Sequence, residues 1–183
     1  LNTIKQVLIS MKKISPKEEI IFVPSGGVKG ISGIVSILGA KANKLPFVIV
    51  DSDNSGQEAY KNLTGSNGLY KDQKDSVIEI KDITGKDGTE IEDLIPYTYL
   101  SKGISKLFSS LDEDTVDEFE NDVNKPILPQ IEQYAHDNNV ELQHGWKVEL
   151  AKTTKGRILK QCTDKNADEI KTWVKLFEKF LKN

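Results

Sequence analysis

Asp51 and Asp53 close the run Phe47-Val48-Ile49-Val50-Asp51-Ser52-Asp53. Residues two apart on a strand project the same way, so both carboxylates emerge together where an apolar strand gives out. Such a pair of hard oxygen donors suits Mg²⁺, which binds through a few carboxylates and keeps water or substrate oxygens for the rest. Aspartate also starts turns and caps helices, so the pair has a plain structural reading too. A second acidic group, Thr89-Glu90-Ile91-Glu92-Asp93-Leu94, lies farther along. Thr89 and Glu92 have the spacing of a capping box, which gives Glu92 a structural reading of its own. Glu92, with Asp93 beside it and Glu90 next in line, is still the third acidic group to consider, because this knot also follows a strand.

The elements that must position these residues read as an α/β fold: a mostly parallel sheet flanked by helices, with a helical region after it. Runs such as Val48-Ile49-Val50 and Ile20-Ile21-Phe22-Val23 are apolar throughout, as strands buried on both faces are. Val77-Ile78-Glu79-Ile80 reads as a short third strand. Open parallel sheets place ligands at the carboxyl ends of their strands, and strand ends on one side converge. Ile4, Val7, Leu8 and Met11 space a first helix over Leu1–Lys13, stopped before Pro16. Pro24-Ser25-Gly26-Gly27 is a glycine-rich strand–helix turn, with Ile31, Ile34, Val35 and Leu38 on the helix that follows. Gly26 and Gly27 read as structural turn residues. The segment fits neither the phosphate loop nor the dinucleotide fingerprint.

Beyond Tyr99 the pattern is helical. Ile104, Leu107 and Phe108 mark one segment, and Val116, Phe119 and Val123 a second one saturated with acid. Pro126 and Pro129 bracket a third, and Trp146–Leu159 and Ile170–Leu181 complete the series. Residues 1–100 are accordingly read as one core and 101–183 as a helical region, with about 145–160 packing back on the core.

Composition excludes several classes. The chain has 183 residues, 37% hydrophobic and 29% charged, with a net charge of −3. No apolar run approaches the roughly 20 residues of a membrane span, so no membrane partner is expected. One cysteine, Cys162, excludes an internal disulfide and fits a reducing cytoplasm. With two histidines, His136 and His144, it leaves little for zinc. The middle of the chain is acidic and the tail from Lys147 basic, which suits a polyanion as well as a solvated face.

Strand, Gly-Gly turn, helix, strand ending Asp51-x-Asp53, helix, strand, then Ile91-Glu92-Asp93-Leu94 resembles the Toprim domain of topoisomerases, primases and certain nucleases. It is most similar to that of the overcoming-lysogenisation-defect (OLD) family endonucleases, in which an ABC-type ATPase precedes the nuclease. The resemblance spans residues 1 to about 100, and more loosely reaches Gly145–Lys152. It implies a Toprim/Rossmann-like sheet and a cytoplasmic, ATP-dependent DNA endonuclease of phage defence, using two Mg²⁺ or Mn²⁺ ions. By the same resemblance Asp51, Asp53 and Glu92 (or Asp93) match metal ligands. Lys147, with Lys152 as its rival, matches a lysine that stabilises charge on the scissile phosphate. DNA, an ATPase domain upstream in the same polypeptide and a homo-oligomeric assembly are the implied partners.

One family feature has no counterpart here: a glutamate ending a first strand, just ahead of the first helix. The expectation is therefore a core whose first strand lies upstream of Leu1, and a chain that is inactive or nearly so by itself and prone to self-associate. Two other readings stand beside it. One is a non-catalytic Toprim-like module for DNA binding or dimerisation. The other is a receiver-like switch, ranked last because its acidic pair should follow the first strand.

Overall fold

A computed structural model describes residues 1–16, 19–42, 44–112, 116 and 118–181. In chain order its helices are α1 (Asn2–Ser10), α2 (Val28–Ala42), α3 (Asn54–Thr64), α4 (Lys81–Thr84), α5 (Tyr97–Leu107), α6 (Ile127–Asp137), α7 (Trp146–Gln161) and α8 (Asp168–Leu181). Two strands, β1 (Val48–Val50) and β2 (Val77–Glu79), form a parallel sheet with Val48 beside Val77, Ile49 beside Ile78 and Val50 beside Glu79. Parallel strands need a crossover rather than a hairpin, and α3 lies within it.

Alternation along the strands sorts the core into two layers. Val48, Val50 and Val77 face Ile31 and Val35 of α2 and Ala59 and Leu63 of α3. Phe47, Ile49 and Ile78 face the opposite way, among Ile4, Val7 and Leu8 of α1 and Trp173, Leu176 and Phe177 of α8. The chain is thus α/β, with helices covering both faces of a small parallel sheet. Among the described residues no helix is long and apolar enough to cross a membrane.

The strand expected at Ile20–Val23 is not formed. The segment runs without regular structure, and among the described residues its backbone groups make no hydrogen bond to another backbone. Alternate burial is nevertheless present. Phe22 packs edge-on against Phe177 and Phe180 at 5.9 and 6.2 Å, while Ile21 and Val23 are 71% and 50% exposed. Lys5 ties the segment to α1 by donating to the Ile20 carbonyl at 2.7 Å. A strand exists only with a partner to bond, and this run lies in the apolar layer without one.

A second core joins the later helices. Leu100 and Ile104 of α5, Phe108 at its C-cap, Ile127, Leu128 and Ile131 of α6, and Leu150 of α7 enclose Phe119. Phe108, Phe119 and Tyr134 meet edge to face or tilted at 5.0 to 6.1 Å. Of the helix expected through Val116, Phe119 and Val123, residue 116 is helical, and the stretch from Phe119 to Val123 is not. Residues 113–115 and 117 lie outside the described residues, and 119–125 are irregular, with Phe119 turned into the core and Val123 exposed. Helix α7 serves both cores, through Leu150 in the second and Ile158 in the first. Gly103 allows α5 to lie close on it, since an added Cβ would stand 2.6 Å from the Leu150 side chain.

Candidate functional site

Past Val50 the chain turns through Asp51-Ser52-Asp53 into α3. Asp53 Oδ1 accepts from the Gly56 amide at 2.7 Å and caps that helix, the structural role aspartate is expected to take at such a junction. Gly56 has no room for a side chain, because a Cβ there would run into the Asp51 carbonyl oxygen. Asp51 reaches the other way, where its Oδ1 accepts from the Ile91 amide at 3.0 Å. The end of β1 and the acidic knot forty residues later are therefore one site.

The knot is a 3₁₀ turn, Ile91–Leu94. Its capping box is formed by Glu90 and Asp93, not by Thr89 and Glu92. The reason is burial: Thr89 is fully enclosed, and its hydroxyl donates to the Lys86 carbonyl at 2.9 Å and meets Thr84 Oγ1 at 3.0 Å. It cannot turn back to cap. Asp93 then has both oxygens engaged, Oδ2 by the Glu90 amide and Oδ1 by the Ile127 amide, each at 2.8 Å. Trp173 holds the turn from beneath by donating Nε1–H to the Leu94 carbonyl at 2.8 Å.

Helix α7 supplies a cation. Gly145, at φ 85°, starts it in the left-handed region, and Lys147 Nζ lies 3.2 Å from Glu90 Oε2 and 5.7 Å from the Trp146 ring centroid. Lys152 is occupied on the same helix by Glu149 at 2.6 Å. The structure thus brings Asp51, Asp53, Glu90, Glu92 and Lys147 within electrostatic reach of one another. Asp93, whose charge also reaches Asp51, has both oxygens tied to backbone amides, and Lys152 is paired elsewhere. Glu90, only the last alternative from sequence, is the acid that Lys147 meets; two residues before Glu92 in an irregular stretch, it carries no pattern of its own. Gly26 and Gly27 take φ values of 70° and 104°, a region L side chains rarely adopt, at the turn into α2.

The acids perturb one another. Burial raises the proton affinity of Asp51 above the ordinary aspartate range; the Ile91 amide opposes this, and the Asp53 charge adds to it. Glu90 is raised by burial against the pull of Lys147, and Glu92 by burial together with the Glu90 and Asp51 charges. The amino end of α1 comes to the same edge, with Leu1 partly buried and within electrostatic reach of Glu92.

Carboxylates that raise each other's proton affinity are a donor set a divalent cation relieves, and oxygen ligands suit Mg²⁺ or Mn²⁺. The chemistry of the donors fits such an ion. As placed, no group of three acidic, histidine or cysteine side chains among the described residues stands close enough to chelate one. His136 and His144 are exposed, and Cys162 is buried. A cavity of about 170 Å³ opens behind the turn, lined by Thr84, Lys86, Thr89, Asp93 and Lys125 among others. Its two lysines are engaged, Lys86 by the Val123 carbonyl and Lys125 by Asp122. Compared with known proteins, no family model matches the chain, and no curated protein or solved structure is similar enough to count as a match.

Proposed function

We propose that this chain carries the acidic half of a metal-dependent phosphodiester-cleaving site acting on DNA, of the Toprim kind found in the OLD family endonucleases. The observation that supports it most is the bond from the Ile91 amide to Asp51, which makes Asp51-x-Asp53 and the 90–93 turn a single acidic edge. Lys147 at that edge is the second support, since a fixed ammonium favours charge that develops on a phosphate in the transition state. Asp51 and Asp53 would hold the ion, Mg²⁺ or Mn²⁺, with Glu92 adding negative charge beside it. Bound there, the ion would supply Lewis-acid stabilisation and an activated water. The family's remaining glutamate ends a strand just ahead of the first helix, and the amino end of α1 lies beside Glu92. A strand leading into Leu1 would deliver its last residue to this edge. The cytoplasmic setting, the upstream ATPase domain and a homo-oligomer belong to the same proposal.

A non-catalytic Toprim-like module is the second reading. It is favoured by the lack of any three chelating side chains in close array among the described residues. One pair of experiments separates the two. Mn²⁺ binding is titrated on residues 1–183 and on the Asp51→Asn variant, and plasmid nicking in Mn²⁺ is assayed for this chain and for one extended ahead of Leu1 by a strand ending in glutamate. The nuclease reading expects weak Mn²⁺ binding abolished by Asp51→Asn, negligible nicking by the short chain and recovery in the longer one. Robust cutting by the short chain would show that its catalytic set is already complete. Silence in both assays for both chains favours the non-catalytic module.

A further inference from the structure

We infer that Ser52, the residue between the two aspartates, is the positioning residue that holds the Asp51/Asp53 loop and the Glu90/Glu92 turn in register. The inference rests on the metal-site reading only for its consequence, not for its geometry. Ser52 has no exposed surface, and all its polar groups are committed to the chain around it. Its amide donates to the Thr89 carbonyl at 2.7 Å, and its carbonyl accepts from the Gly88 amide at 3.2 Å and from Gln57 Nε2 at 3.0 Å. Its hydroxyl oxygen accepts from the Lys81 amide at 2.8 Å, the first N–H of α4.

These bonds reach three separate connections: the start of α3, the junction of β2 with α4, and the loop that leads into the acidic turn. The paired bonds to Gly88 and Thr89 act as a two-rung ladder continuing past the end of β1. That ladder fixes Ile91 where Asp51 can receive its amide. The hydroxyl is the one side-chain member. Without it the Lys81 N–H loses its acceptor at a packed junction, a loss that ordinarily exceeds what a hydrogen bond contributes when made. Relief comes by moving the β2–α4 junction away from β1, which pulls the ladder apart. Ser52 is fully enclosed, and alanine has no oxygen with which to accept from the Lys81 amide.

The test is Ser52→Ala, beside Ile131→Ala as a control that removes apolar volume from the second core. Amide hydrogen exchange at Gly88 and Ile91 is read without metal, and Mn²⁺ affinity is read separately. The expected result is at least tenfold faster exchange at Gly88 and Ile91 in Ser52→Ala and at least tenfold weaker Mn²⁺ binding, neither of which Ile131→Ala reproduces. Unchanged protection at Ile91 in Ser52→Ala overturns the inference, as does equal loss in both variants. If wild type itself binds no Mn²⁺ while Ser52→Ala still loses protection at Ile91, the metal reading fails and the positioning role of Ser52 stands.

Discussion

Asp51 is pulled in opposite directions. Burial and the neighbouring Asp53 charge favour its protonated form, and the Ile91 amide favours the charged one, with burial the largest influence. Glu90 and Glu92 are raised as well. An acid whose folded pKa exceeds its unfolded value binds protons more tightly when folded, so its contribution to stability is present at low pH. That contribution falls as pH rises from the unfolded value, near 4, through the folded one. The metal-free chain is therefore expected to lose stability at this cluster between mildly acidic and neutral pH. Asp51→Asn keeps an oxygen for Ile91 and removes a charge. Its melting temperature should exceed that of wild type at pH 7.5, and the gap should close toward pH 4.5. A constant gap, measured by thermal melts across that range, would show that the acids do not strain the fold. Added Mg²⁺ should narrow the difference at neutral pH by stabilising wild type alone.

The segment Ile20–Val23 poses the question of elements. It is built like a strand, with Phe22 inward and Ile21 outward, yet among the described residues its backbone bonds to no other backbone. Unpaired extended backbone with apolar side chains invites pairing with another chain. Replacing Ile21 and Val23 together by lysine should reduce self-association of residues 1–183 in sedimentation velocity, with little change in unfolding midpoint because both side chains are exposed. Self-association that persists unchanged places the sticky surface elsewhere. The same segment shows what was legible beforehand. Apolar runs and helical spacing mark β1, β2 and α1 to α3 within a few residues, because burial on one or two faces imposes a period on the sequence. Hydrogen-bond partners impose none, so nothing in Ile20-Ile21-Phe22-Val23 tells a paired strand from an unpaired one. At the site, Asp51-x-Asp53 stands out by its strand, whereas Glu90 and Ser52 owe their places to burial and to contacts made across 57 and 29 residues, and neither carries a local pattern. The capping box falls one residue later than the Thr89/Glu92 spacing predicts, because the Thr89 hydroxyl is engaged by the Lys86 carbonyl.

Across the whole molecule, the acidic edge is supported from a distance. Trp173, fully enclosed in α8, packs among the residues that cover the sheet and bonds to the turn at Leu94. Trp173→Ala should cost about 3–5 kcal/mol in urea unfolding, the range for removing a buried aromatic ring, and a loss below 1 kcal/mol would mean that α8 is not a structural cover for the sheet. The bond from Trp173 to Leu94 spans 79 residues, and that separation has a consequence in time. A ribosome adding roughly 5–20 residues per second makes the turn some 4–16 s before it makes the tryptophan that fastens it. Throughout that interval Asp51 and the Glu90–Asp93 turn exist on a nascent chain whose floor has not been synthesised. The acidic edge therefore gains its floor only once α8 is made, 79 residues after Leu94 itself.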